Sequence, residues 1–374
     1  MSTETKTDWN ALAHELGKKF GSRAAEIDDC DGFIQENIDD LKAAKVYSMY
    51  VPAECGGGGA TYEETCNFLR VLAHYCGSTA LTLSMHTHLV AATVWRYKEQ
   101  GAPVEGLFKK ISEEQIILVS SGGSDWLNGS CTLEKTEGGF TMNGRKIFAS
   151  GSPAGDLMMT MGVYDCPENG PTVMHFPVSL KQDGVTILDT WRTHGMRGTG
   201  SQDLTIENIF VPEESIAVKR EKGKWHGSMH VVVKVAFPLI YSVYFGLAEA
   251  ARNKAVAMAE KRKDNGDIHL MVGEMENELT VARLAREKMV HNGANLPMGE
   301  DTTNENMICR GVVERSGVKA TELAMRVAGG AGFYRKLGLE RIWRDIQAAK
   351  YHPLKTLEQQ RYAGRKALGV SVDD

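Results

Sequence analysis

The chain has 374 residues, enough for two or three domains with a large core. Its 42% hydrophobic and 24% charged content is ordinary for a soluble globular protein, and a net charge of −5 argues against a nucleic-acid or anionic-membrane binder. Seven cysteines without a CxxC pair argue against a disulfide framework or a metal cluster, and they suit a reducing, cytoplasmic compartment.

Residues 1–115 read as a helical domain. "DWNALAHELGKKF" opens with a capping Asp and then spaces Leu and Ala at helical intervals. "TYEETCNFLRVLAHYCG" predicts a helix whose N-cap is Thr61, with Glu64 three residues on. "STALTLSMHTHLVAATVWRY" is apolar enough to be a buried helix. Residues 116–222 break into short segments bounded by Gly, Pro, Asn and Asp, which predicts a β-barrel or sandwich. Both "EGG" and the "NG" of Asn143–Gly144 read as turns. Residues 223–374 return to long amphipathic patterns, which predict an antiparallel four-helix bundle. The expected fold class is therefore α+β multidomain: helices, a middle β domain, then helices. No apolar run approaches the 18 residues of a membrane span, and the N-terminus lacks an apolar signal core.

Several strings can carry chemistry, and each has a plain structural reading beside it. "SSGGSDW", 120–126, can cradle a polar ligand, or it is a β-turn. "NGRKIFASGS" is expected to put Phe148 and Ser150 on one strand face, a ring and a hydroxyl suited to a flat heterocycle. A core Phe gives the same pattern. Arg197, in the Gly-rich loop after His194, can pair with an anionic ligand group or simply hold its turn. "AGGAGF", 328–333, follows a helical pattern and not a strand, so it is a helix cap and not a Rossmann or P-loop motif. His86 and His88 lie on the apolar helix, two residues apart and facing different ways, which makes them a poor metal pair. His352 precedes Pro353 and is biased to extended geometry, where a proton-transfer role and a packing role are both open.

Taken together, "GGSD", "NGRKIFASG", "HGMRGTGSQDLTIENIFVP", "RVAGGAGF" and "ERIWRD" resemble the acyl-CoA dehydrogenase superfamily, over about residues 15–368. The resemblance implies helices, a middle β-barrel and a four-helix bundle, with FAD (or FMN) between the β domain and the bundle. It also implies a homotetramer or homodimer whose second subunit meets the flavin. Carried across, Ser120, Ser121, Ser124, Phe148 and Ser150 fall on the flavin-contacting positions. Arg326, Gly329 and Gly330 fall on the motif that meets the adenosine arm. One departure is decisive for chemistry. The dehydrogenases use a Glu to remove the α-proton of an acyl thioester, and here the two known positions read Ala236 and Lys350–Pro353. Glu249 and Glu358 are nearby in sequence but not at matching places.

One branch, similar to dibenzothiophene monooxygenase and the sugar N-oxygenases, works without that Glu. It takes reduced flavin from a reductase and uses O₂, and some of its members carry histidines in the neighbourhoods of His86, His88 and His352. The resemblance thus implies a flavin-dependent oxidoreductase acting on a small-molecule or acyl-thioester substrate, with a flavin reductase or an electron-transfer flavoprotein as partner. A dehydrogenase with a displaced base and a non-catalytic flavin- or acyl-binding homologue are the alternatives. The candidate catalytic residues are His352, His88 and His86; Arg197 is the candidate substrate contact. Neither metal, nucleic acid nor membrane is expected.

Overall fold

The computed structural model describes residues 7–121, 123 and 126–373. Five helices come first: α1 (Trp9–Asp29), α2 (Gln35–Ala43), α3 (Tyr62–Ala73), α4 (Gly77–Gln100) and α5 (Glu105–Glu114). Their caps follow the sequence. The Asp8 carboxylate accepts the Ala11 N–H at 2.9 Å. The Thr61 hydroxyl accepts the Glu64 N–H at 3.1 Å while Glu64 accepts the Thr61 N–H at 2.8 Å, a reciprocal capping box. From Gly77 through His88 every residue of α4 is buried, as its apolar composition requires.

The middle region forms one sheet from β1 (Leu118–Ser120), β2 (Thr132–Thr136), β3 (Gly139–Ala149), β4 (Leu157–Cys166), β5 (Gly170–Ser179), β6 (Val185–Ile187), β7 (Gln202–Pro212) and β8 (Val218–Glu221). The order is β6-β7-β3-β2-β4-β5-β8, with β1 parallel to β4. The turn expected at "EGG" joins β2 to β3, but the one expected at Asn143–Gly144 is absent. Those residues lie inside β3, where the register with β7 shifts between Met142 and Gly144. A Cβ on Gly144, whose φ is +143°, would come within 2.8 Å of the Cys131 sulfur. Glycine therefore serves a bulge against the neighbouring chain, not a hairpin.

Helices return as α6 (Gly227–Ala259), α7 (Gly266–Asn295), α8 (Glu300–Ala328), α9 (Leu339–Ile346) and α10 (Thr356–Ala367). The first three are the long members of the bundle; α9 packs on α6 and α8, and α10 on α8. α6 is the common core element, because α3 and α4 also lie against it. Gly246 permits this: a Cβ there would sit 2.2 Å from the Arg70 carbonyl oxygen. By length and composition α6 is apolar enough to cross a membrane, which corrects the expectation from sequence. However, 89% of its apolar window is buried inside the protein, so its apolarity is accounted for by the core.

Candidate active site

α4 carries both N-terminal histidines, and the structure gives them opposite jobs. His86 Nε2–H donates to the Tyr47 carbonyl at 2.8 Å, and its Nδ1 accepts the Leu118 N–H at 3.0 Å. Both nitrogens are committed to backbone, with the Tyr47 ring edge-on at 4.9 Å. Burial pushes its pKa down to about 4, so the ring is neutral. Such a ring has nothing left to exchange with a ligand. His86 staples the Val46–Ser48 turn to the start of β1, and its candidacy as a catalytic residue is corrected on that ground.

His88 lies two residues on, about 200° around the helix. Its Nδ1–H donates to the Ser84 carbonyl at 3.1 Å, which leaves Nε2 without a hydrogen bond among the described residues. Burial pushes this ring, too, down to about 4. His352 follows α9 and the short Gln347–Lys350 turn. Its ring lies 5.5 Å from that of Tyr244, and neither ring nitrogen has a hydrogen bond among the described residues. Burial pushes it down to about 3, and the Arg310 guanidinium and a proton on His88 would both push the same way. His88 and His352, more than 260 residues apart in sequence, thus lie close enough for a charge on one to act on the other.

Sequence reasoning missed the residues that hold this corner. Arg310 on α8 has no exposed surface. It donates to Glu314 at 2.6 Å, to the Ala349 carbonyl at 3.1 Å and to the His352 carbonyl at 2.9 Å. Its guanidinium lies 5.1 Å from the centre of the Tyr241 ring, and the Tyr241 hydroxyl also donates to Ala349, at 2.9 Å. The Tyr244 hydroxyl is buried without a partner in the structure. The available signals were weak. Arg310 and Glu314 read as an ordinary i,i+4 surface pair, and Tyr241 and Tyr244 as core residues of an apolar helix.

None of the carboxylates singled out in the sequence is free to act as a base here. Burial alone would raise Glu249, but His74 at 2.9 Å and bidentate Arg70 at 2.7 and 2.9 Å hold it below its ordinary value. Glu358 caps α10. Asp345, pushed up to about 6 by burial, accepts the Met196 N–H. Arg344 beside it reaches Asp28 at 3.0 Å, Glu340 at 2.7 Å and the His194 carbonyl at 3.1 Å. The Arg344–Asp345 pair therefore ties the bundle to the 194–197 loop.

The other predicted residues lie apart from this corner or are already engaged. Arg197 forms an ion pair with Asp31, so its charge is already balanced within the chain. Ser121 Oγ is buried 2.7 Å from Thr160 Oγ1, and Ser120 Oγ lies 3.9 Å from the Met85 sulfur. Ser124 lies outside the described residues. Phe148 and Ser150 do not alternate on a strand as expected. A second register shift follows Lys146, Phe148 takes a φ of +57°, and Ser150 lies beyond the end of β3. The outcome still presents a ring and a hydroxyl. Phe148 is 52% exposed, edge-on to Trp191, and Ser150 Oγ pairs with Ser201 Oγ at 2.7 Å.

Arg326, Gly329 and Gly330 sit at the exposed C-terminal end of α8, about 24 Å along the helix from Arg310. A Cβ on Gly330 would meet no atom within 4 Å. A cavity of about 430 Å³ lies elsewhere again. Trp225, His230, Glu300, Lys366 and Asp373 line it, and it shares no residue with the histidine corner. Among the described residues no cluster of His, Cys, Asp and Glu could hold a metal ion.

Comparison with known proteins places this geometry. Residues 3–100 match the acyl-CoA dehydrogenase N-terminal domain, 120–209 the middle domain and 238–351 the C-terminal domain. The chain belongs to the acyl-CoA dehydrogenase family. Dibenzothiophene monooxygenase of Rhodococcus erythropolis is 25% identical, covering 91% of this chain and 89% of its own. The 3-(aryl)acrylate reductase of Clostridium sporogenes is 23% identical, over 91% and 93%. Among solved structures, KijD3 in complex with FMN and a dTDP-linked amino sugar superposes with a TM-score of 0.87 at 23% identity, covering 98% and 96% of the two chains. The family is one of flavin-dependent oxidoreductases, and within it this chain keeps the three-part fold while lacking a carboxylate at either expected base position.

Proposed function

We propose that this protein is a monooxygenase that takes reduced flavin from a separate reductase and oxygenates a small molecule, with His88 and His352 handling protons. One observation carries the reading. Two neutral imidazoles, each with a ring nitrogen that makes no hydrogen bond among the described residues, lie within electrostatic reach of each other, and the expected acyl-CoA base positions read Ala236 and the His352–Pro353 turn. Removing an α-proton from a thioester needs a base held at the α-carbon, and none of the neighbouring carboxylates is free to serve.

The residues present fit a flavin. The half-exposed Phe148 ring and the Ser150 hydroxyl offer a stacking surface and a polar edge. The open Gly330 backbone and the exposed Arg326, paired only loosely with Glu274 at 4.0 Å, can receive a phosphate-bearing arm from a neighbouring copy. That arm favours FAD, while the FMN complex of KijD3 keeps FMN in view. Bound reduced flavin supplies two electrons and activates O₂, so that one oxygen atom enters the substrate and the other leaves as water. Each neutral ring has one N–H and one acceptor nitrogen, so His88 Nε2 can accept a hydrogen bond at this corner and His352 can offer a donor and an acceptor, through which a proton can be relayed with each ring neutral before and after.

A homotetramer or homodimer is supported by the exposed apolar side chains of the bundle, Leu270, Val281, Leu284 and Phe333 among them. Seven cysteines without a CxxC pair suit a reducing cytoplasm. The test is a single-turnover reaction with photoreduced FMN and oxygen-18 gas, offered dibenzothiophene or a dTDP-amino sugar. Labelled product is expected. Bleaching of the oxidised, flavin-loaded protein by an acyl-CoA without air would establish the dehydrogenase reading instead.

A further inference from the structure

We infer that Arg310 is a positioning residue: its buried guanidinium bridges the Ala349 and His352 carbonyls and so fixes where the His352 ring stands against Tyr244. The inference rests on the reading of His352 given above. A planar guanidinium presents several donors in a fixed fork, and here two of them close one turn of chain, Ala349 to His352. Tyr241 adds a second donor to Ala349, so that carbonyl is held from both α6 and α8.

The groups facing His352 are few. His88 comes from α4, Tyr241 and Tyr244 from α6, and Arg310 with Glu314 from α8. Burying an arginine with a single carboxylate is not in itself a source of stability, since a well-packed apolar pair of similar volume is often as good. A placement of two main-chain carbonyls is the feature that an apolar pair could not reproduce. The positive charge also disfavours a second one on His352 and keeps that ring neutral.

The test compares three variants of the full-length protein. The double variant Arg310→Met/Glu314→Met removes the bridge and both charges. It is expected to melt within a few degrees of the parent, to raise the His352 titration followed by NMR of carbon-13-labelled histidine, and to lower labelled-oxygen product at least tenfold. Arg310→Lys keeps the charge but has a single nitrogen in place of the Nη1 that holds Glu314 and the Nη2 that reaches both carbonyls, so product should fall while the His352 titration stays low. It also serves if the double variant does not fold. His352→Ala separates the two ideas. If that variant forms product at the parental rate, the catalytic reading of His352 fails, and the NMR arm still reports on Arg310. If His352→Ala loses product while Arg310→Lys matches the parent in rate and in the shift of the His352 ring carbons, the positioning role is overturned.

Discussion

The two ends of α8 behave oppositely. At Arg310 the guanidinium, Glu314 and Ala349 are buried and most polar groups are committed within one chain. At Arg326, Gly329 and Gly330 the backbone stands open, and the nearest carboxylate to Arg326 is Glu274 at 4.0 Å. The difference separates two tasks. Proton-handling groups need placement before any ligand arrives, which a packed interior supplies. A surface meant for a cofactor arm or another subunit must stay uncommitted until that partner binds.

The largest expected effect attacks the buried end on stability. Arg310→Ala leaves the Glu314 carboxylate buried and unpaired, which should destabilise the chain by about 3–5 kcal/mol in urea melts. A change below about 1 kcal/mol would remove the contrast between the two ends. On activity, His88→Ala and His352→Ala should each lower labelled-oxygen product by about 10²–10⁴-fold. Circular dichroism should show the native fold in both.

His86→Leu sharpens the contrast within α4. It strands the Tyr47 carbonyl and the Leu118 N–H and should cost about 2–4 kcal/mol in stability. The pH dependence has a definite sign. The folded pKa of His86, about 4, lies below its ordinary value of 6.5, so the folded form binds fewer protons between them. Its contribution is complete above about pH 6.5 and is lost as pH falls toward 4. His88 and His352 act in the same direction. Replacing His86 should therefore flatten the decline of stability with acid, measured as urea midpoints across that window. Asp345 has the reverse sign, since its raised pKa weakens the fold as pH rises through about 6.

The smallest effect belongs to the open end. Gly330→Ala should change stability by less than about 0.5 kcal/mol, because nothing meets the added methyl group. The same change should weaken FAD binding, read by fluorescence titration. Unaltered binding would count against a cofactor role for that loop.

Much of the fold was legible because its signals are local. The Thr61–Glu64 box depends on three residues of spacing and formed as read. The turn misplaced at Asn143–Gly144 shows the limit. Two residues that favour a hairpin were used for a bulge, because Cys131 on the adjacent chain leaves room only for glycine. The site divided in the same way. His88 and His352 were named from a resemblance, but their proximity depends on α4 and the post-α9 turn both lying against α6.

The sequence by itself determined the three-part order, the caps and the buried character of α4. Those follow from composition and short-range spacing, which the chain carries wherever it folds. Tertiary structure alone decided that His86 is a staple while His88 is free, that Arg197 is spent on Asp31, and that an ordinary-looking Arg310–Glu314 pair lies at the centre of the corner. Each of these turns on which partner fills a donor or acceptor, and partners tens to hundreds of residues away leave no mark in local sequence.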